Sequence, residues 1–322
     1  MLLSDARLPQ DLLYNLHHLR LCFEDYFNEK GTLPFDFFHR VPSLEHLLVR
    51  TCFGLKEVFP SQKITVHDTL FARLKRLFLV KLNELEWVGL EHPWVQPYSE
   101  KLEVLKLEKC PRVEKLVSCA VSFINLKQLW VKFCESMEHL FTFGTLKSLV
   151  KLEILIVTNC ESIKEIAKNE DEDGCDEMVF GRLRFIDLNG LPSLVSFYSG
   201  NATLQCSCLE VVSVNKCPNM ETFSLGVINS PILKGIRISM GDFDLILEDD
   251  LNTTIERLFH QQVTLHSPNS IVMFSYLTHF TDTILSMPKP RIFFSTIANL
   301  LFYTKFFNND PLHSYFPLSS FY

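Results

Sequence analysis

A solenoid of the α/β class, in which stacked coils share one parallel sheet, is the fold that this 322-residue sequence predicts. Three observations carry the prediction. A nine-residue phrase, Leu-x-x-Leu-x-Leu-x-x-Cys, recurs at Leu102, Leu105, Leu107 and Cys110, at Leu126, Leu129, Val131 and Cys134, at Leu152, Leu155, Val157 and Cys160, and at Leu209, Val212, Val214 and Cys217. Weaker copies begin at Leu16, Leu44, Leu74, Leu183 and Leu233, with Leu82 and Leu191 where Cys would stand in two of them. The copies start 24 to 31 residues apart, room for one strand and a return segment. Helical repeats of about 33 residues and more are excluded by that period. A second apolar pair follows the phrase in five copies: Val113 with Leu116, Met137 with Leu140, Ile163 with Ile166, Leu194 with Phe197 and Met220 with Phe223.

Each part of the phrase has a physical reason. Side chains alternate along a strand, so Leu105 and Leu107 point to one face while Val104, Lys106 and Glu108 point to the other. The leucines go inward, and outward Lys106 is expected to tolerate substitution. Cys110 stands where the chain leaves the strand, a position suited to a small side chain that can be buried in the coil. The second apolar pair then brings the return segment back over the core. No copy can bury its apolar face alone, so neighbours must stack. The period and phrase together give a leucine-rich-repeat solenoid of about 8–9 irregular repeats, a horseshoe with its parallel sheet on the concave face.

Four zones follow along the chain. Residues 1–40 hold a degenerate N-terminal repeat, Leu16, Leu19 and Leu21, and a stretch Phe35-Asp36-Phe37-Phe38 suited to closing the coil. Residues 41–240 are the repeat array. In the next zone, 241–264, the segment Asp250 to Val263 has Leu251, Ile255, Leu258, Phe259 and Val263 at helical spacing and Thr253 and Glu256 at capping-box spacing. It reads as an amphipathic helix covering the open end of the last coil. Residues 265–322 are Phe-rich, with charge only at Asp282, Lys289, Arg291, Lys305 and Asp310, and show no repeat. That tail is expected to be poorly ordered or foreign to the ancestral domain. Its apolar run Ile292 to Tyr303 lies between Arg291 and Lys305, too short for a typical spanning helix, so no membrane partner is expected.

Charge and cysteine usage narrow the class of partner. The net charge is −7, and the run from Glu170 to Glu177 holds six acids, which leaves the remainder one charge from balance. Nucleic acid is therefore not the expected partner. The acidic run falls in the longest gap between copies and reads as a solvated loop. Of ten cysteines, Cys52, Cys110, Cys134, Cys160 and Cys217 occupy the same repeat position, so their role is positional. Cys206 and Cys208 lack a second pair, and no zinc-site spacing exists. Asp5 and Arg7 stand close behind a two-leucine start, unlike a secretory leader. A reducing, cytoplasmic location is the expectation. The sequons at Asn201-Ala202-Thr203 and Asn252-Thr253-Thr254 point weakly the other way.

The copies Leu102 to Pro111 and Leu209 to Pro218, with Val113-Glu114-Lys115-Leu116 and Met220-Glu221-Thr222-Phe223, resemble the C-terminal repeats of plant coiled-coil-type nucleotide-binding leucine-rich-repeat (NLR) disease-resistance proteins. Leu188-Asn189-Gly190-Leu191-Pro192-Ser193-Leu194 and the Asp250 to Val263 segment resemble the same region, and the likeness covers roughly Pro42 to Val263. The resemblance implies a recognition and autoinhibitory array whose partner is a pathogen effector, a host protein, or the nucleotide-binding domain of a related protein. A Gly-x-x-x-x-Gly-Lys-Ser/Thr phosphate loop is absent, so no nucleotide cofactor is carried over, and the chain resembles a detached or truncated array.

Catalytic motifs are missing from the sequence: neither a Gly-x-Ser-x-Gly elbow nor His-Glu-x-x-His occurs, and neither enzyme activity nor a cofactor is expected. Two other binding classes remain open. A substrate receptor for ubiquitin ligation would need an N-terminal adaptor-binding module, for which Met1 to Tyr14 is too short. An extracellular receptor fragment would show Gly-x-Ile-Pro after each strand, a phrase not found here. The expected protein-binding residues are outward strand positions: Arg20, Arg50, Arg76, Phe78, Lys106, Trp130, Lys132, Phe185, Asp187 and Arg237. Five consecutive copies carry a cation there, and Trp130 is the expected aromatic anchor.

Overall fold

The computed structural model describes residues 13–23, 33, 35–60, 70–117, 121–168, 177–233, 235–237, 244–246 and 250–266. Its strands, in chain order, are β1 (His18–Phe23), β2 (His46–Cys52), β3 (Arg76–Val80), β4 (Val104–Glu108), β5 (Gln128–Lys132), β6 (Phe141–Thr142), β7 (Ile154–Thr158) and β8 (Glu165–Lys168). They continue as β9 (Glu177–Val179), β10 (Phe185–Asn189), β11 (Ser196–Tyr198), β12 (Thr203–Gln205), β13 (Val211–Asn215), β14 (Ile228–Asn229), β15 (Gly235–Arg237) and β16 (Asp244–Ile246). The main sheet has the order β1-β2-β3-β4-β5-β7-β10-β13-β15-β16. Its first nine strands are parallel and coincide with the nine copies of the phrase; β16 closes the sheet antiparallel to β15.

Pairing in register stacks like on like. One inward file runs Leu19, Leu47, Leu77, Leu105, Leu129, Leu155, Ile186, Val212 and Ile236. Its members from Leu47 to Ile236 are all buried, as are the expected return pairs from Val113 and Leu116 to Met220 and Phe223. Each fully buried leucine contributes roughly 1.5–3 kcal/mol relative to exposure, and only a stacked neighbour completes that burial.

The strand ends by a left-handed residue. Thr51, Lys81, Lys109, Phe133, Asn159, Gly190 and Lys216 all stand one residue before the Cys or Leu of the phrase, and all have positive φ, from 51° at Thr51 to 66° at Gly190. Six of these seven are not glycine, at a conformational cost of roughly 1 kcal/mol each. The turn is held by the next coil: Lys109 N–H donates to Lys132 O at 2.9 Å and Phe133 N–H to Thr158 O at 3.0 Å. It also drives the following side chain inward. Cys110, Cys134 and Cys160 are wholly buried. The Cys110 thiol lies 3.7 Å from both Leu79 O in the preceding coil and Glu108 O in its own. Cysteine serves here as a small side chain with a weak donor, the positional role that its spacing indicates.

The return side is mostly short parallel strands, in the orders β11-β8-β6 and β14-β12-β9. Among the described residues, helix is confined to residues 13–14, Phe35–Phe38, Gln96–Ser99, Phe143–Ser148 and Leu251–His266. The Phe-rich stretch does pack inward: Phe38 lies 4.7 Å from Phe71 and Phe35 lies 5.9 Å from Trp94, ring centre to ring centre.

At the C-terminal end, the expected helix spans Leu251–His266, with Leu251 and Ile255 buried. Its cap differs from the Thr253 and Glu256 box. Asp250 is the capping residue, its carboxylate accepting the Thr253 N–H at 2.9 Å and the Thr253 hydroxyl at 3.0 Å. The carboxylate three residues earlier satisfies the first-turn amide more strongly than a hydroxyl would, so Thr253 falls inside the helix. The repeat array lies within the compact unit Met1–Gln262; of the unit Val263–Tyr322, only backbone from the end of this helix is described. The acidic run Glu170 to Asp176 and the Phe-rich tail from residue 267 lie outside the described residues.

Candidate protein interface

One-to-one register also lines the outward residues into three files, with strands about 4.8 Å apart. The first runs His18, His46, Arg76, Val104, Gln128, Ile154, Phe185 and Val211. The middle file is Arg20, Leu48, Phe78, Lys106, Trp130, Ile156, Asp187, Ser213 and Arg237. The third is Cys22, Arg50, Val80, Glu108, Lys132, Thr158, Asn189 and Asn215. The five consecutive cations therefore form no single column. Arg76 belongs to the first file, Arg20 and Lys106 to the middle and Arg50 and Lys132 to the third.

Three of the expected residues do meet. Trp130 is the lateral neighbour of Lys106 and shares a strand face with Lys132, and each ammonium lies 5.5 Å from the indole ring centre. That is within the range at which the ring's negative face attracts a cation. Lys106 Nζ also pairs with Glu108 Oε2 at 2.6 Å, along the same face of β4. Phe78 lies beside Lys106 on the other side, and Phe185 beside Ile154. Asp187 follows Trp130 in the middle file after Ile156, and Arg237 follows it after Ser213. Arg20 and Arg50 sit apart on the two N-terminal strands.

The face is more enclosed than alternation alone suggests. Ile156 is 1% exposed and Lys106 9%. Enclosure shifts the charges. Burial and the nearby Lys106 charge hold the Lys132 ammonium below the usual lysine range, with Asp187 and Glu108 opposing them. For Glu108, burial pulls upward, but the hydrogen bond and charge of Lys106 outweigh it and the carboxyl is held low. Asp187 is pushed up by burial, a shift that its Ser213 hydrogen bond and the Lys132 and Arg237 charges reduce without cancelling.

Several members of this face escaped the sequence reading. Glu108 is outward by alternation, but its pairing with Lys106 makes it part of the same cluster. Ile154, Ile156 and Thr158 of β7 were hidden because Ile154 to Val157 is apolar throughout, leaving no alternation to read. Register with Trp130 and Asp187 settles their phase. Among the described residues, no group of three or more His, Cys, Asp or Glu side chains is placed to hold a metal, and no helix is long and apolar enough to cross a membrane.

Residues 113–230 match the family model for the leucine-rich repeats of plant disease resistance proteins, RPS2-like. The matched stretch includes the phrase at Leu209, one of the two that carry the resemblance, and begins just after the phrase at Leu102. No curated protein matches the chain. Among solved structures, the leucine-rich repeat domain of the type III effector XCV3220 (XopL) is similar, at 18% identity and a TM-score of 0.41, covering 67% of this chain and 76% of that one.

Proposed function

We propose that this array of leucine-rich repeats, of the plant disease-resistance type over residues 113–230, is a recognition module of plant immunity that binds a protein through the outward face of its main sheet. The observation that carries the reading is Trp130 with two lysine ammoniums beside it, Lys106 and Lys132, each 5.5 Å from its ring centre, on a regular sheet face. A large aromatic side chain already restrained by its neighbours loses little freedom on binding and can bury much area, the usual profile of an interface anchor. The partner is a pathogen effector, a host protein, or the nucleotide-binding domain of a related protein. The chain acts in the cytoplasm, by binding and not by catalysis.

The test is titration calorimetry of a candidate effector or host protein against the wild type and Trp130→Ala. Loss of about 2 kcal/mol or more is expected. Unchanged affinity with an intact fold would move recognition elsewhere, first to the acidic run around Asp173.

A further inference from the structure

The outward face carries charge opposite in sign to the chain as a whole. Its described strand positions hold six cations, Arg20, Arg50, Arg76, Lys106, Lys132 and Arg237, against three carboxylates, Glu108, Asp187 and Asp244, the last in register with Arg237 at the sheet's end. The full chain has a net charge of −7. A face with a surplus of three cations on an anionic protein is a local field, and the field selects for an oppositely charged partner surface. The cations are also dispersed across the three files, with apolar side chains between them: Phe78 beside Lys106, and Val80 between Arg50 and Glu108. Phe78 and Val80 are themselves buried and Trp130 is only partly so, which leaves Trp130 as the apolar contact for a ligand among these cations.

We infer that the partner presents to this face an extended acidic segment of protein, in which Asp or Glu side chains flank at least one apolar residue. The apolar residue packs on Trp130, while carboxylates approach Lys132 and Arg76. Because burial and the neighbouring Lys106 already disfavour the charge on Lys132, an incoming carboxylate compensates a cost that the unbound face carries. This inference rests on the proposal that the outward face is the binding surface, and it adds the chemistry of what binds there.

The probe is a synthetic array of short peptides with constant apolar content and graded numbers of Asp and Glu, read against the full chain by fluorescence anisotropy. Retention is expected to rise with acid content and to fall with salt. Lys132→Glu and Arg76→Glu are each expected to weaken it by about tenfold, with Lys132→Gln intermediate. Lys164→Glu, on the exposed return side where Lys164 pairs with Glu138, leaves it unchanged. Each variant is checked for an unaltered unfolding transition. Peptides that need Trp130 but show no preference for acid would overturn this inference and leave the face assignment standing; binding indifferent to Trp130→Ala would overturn both. Tighter binding of a single-stranded oligonucleotide than of any peptide would reassign the face to nucleic acid. Self-association abolished by Lys132→Glu would make a second copy of this chain the occupant, and would equally defeat the proposal.

Discussion

Asn252 Oδ1 accepts the backbone N–H of Ser224 at 2.9 Å, and with it the N–H of Phe223 at 3.2 Å. One coil earlier, the equivalent amides of Tyr198 and Phe197 both donate to a single backbone carbonyl, Phe223 O, at 3.2 and 2.9 Å. The amide oxygen of Asn252 thus stands in for the carbonyl that a further coil would supply. Its Nδ2 donates in turn to Gly226 O at 3.2 Å. A solenoid has no intrinsic end, and a terminal coil leaves backbone donors without partners unless a cap provides them. Asn252 answers that need from the first turn of the closing helix, which makes its sequon part of the cap.

Asn252→Ala should destabilise the C-terminal end selectively. Leaving two amides of the last return segment without an acceptor costs about 1–3 kcal/mol. Hydrogen exchange of the Phe223 and Ser224 amides should accelerate, while amides of the central strand β5 keep their protection. Asn252→Asp, which retains the oxygen and loses the donor to Gly226, should fall between. Equal exchange at Ser224 in wild type and alanine variant would sink the capping role.

The nine strands and their inward files were legible because the phrase is periodic and strand side chains alternate strictly. Leu105 and Leu107 had only one consistent phase. The clustering of Lys106, Glu108, Trp130 and Lys132 was only half legible. Alternation tells which residues face outward, but which of them are neighbours depends on register across residues about one coil apart, and coil length varies. Asn252 was beyond reach for a related reason. Its partners lie 26 to 30 residues away in sequence, and nothing in a local tripeptide marks an oxygen as a substitute carbonyl. The left-handed residues carried no composition signal either, since Lys109, Phe133 and Asn159 share a conformation and no chemistry.

Leu105 and Lys106 are adjacent residues with different fates on substitution. Leu105 is fully buried between Leu77 and Leu129, so Leu105→Asp puts an uncompensated charge into a core shared by three coils. A loss above about 3 kcal/mol is expected, spread over neighbouring repeats. The expectation that Lys106 tolerates the same change needs revision. Lys106 is 9% exposed and pairs with Glu108, so Lys106→Asp would set two carboxylates together in a partly enclosed site. A cost of about 1–2 kcal/mol is expected, with Lys106→Gln closer to neutral. Urea midpoints order the variants, and Lys106→Asp matching Leu105→Asp would refute the strand phase.

Thiol reactivity should separate the cysteines by repeat position. The eight described cysteines are thiols outside any disulfide, and of these Cys22 is exposed and Cys208 half-buried. Burial pushes the Cys206 thiol up to about 12 and the Cys217 thiol up to about 11, so their reactive thiolate is scarce at neutral pH. Native alkylation followed by mass spectrometry should modify Cys22 and Cys208 first. Cys110, Cys134 and Cys160 should react only on unfolding. Rapid native labelling of Cys160 would contradict a sealed core, and failure of most described thiols to react in denaturant without reductant would reveal disulfides.

Asp187 gives the outward face a distinct pH signature. Its ordinary value is 3.8, and burial raises it in the folded chain. A carboxyl with a raised folded value binds its proton more readily when folded, so its ionisation opposes folding. Below pH 3.8 the group is protonated in both states and costs nothing; as pH rises toward and past the folded value, the cost grows to its full size and stays there. Asp187→Asn keeps an acceptor for Ser213 and removes the charge. The variant should therefore be more stable than the wild type at neutral pH, and the advantage should vanish in acid. Glu108 runs oppositely, because Lys106 holds it low. Its contribution to stability is present above its ordinary 4.5 and is lost as pH falls through the folded value. Glu108→Gln should accordingly destabilise at neutral pH and be neutral in acid. Unfolding midpoints across this range, measured on both variants, separate the two carboxylates. The same pH trend in both would show that the charges on this face are not arranged as described.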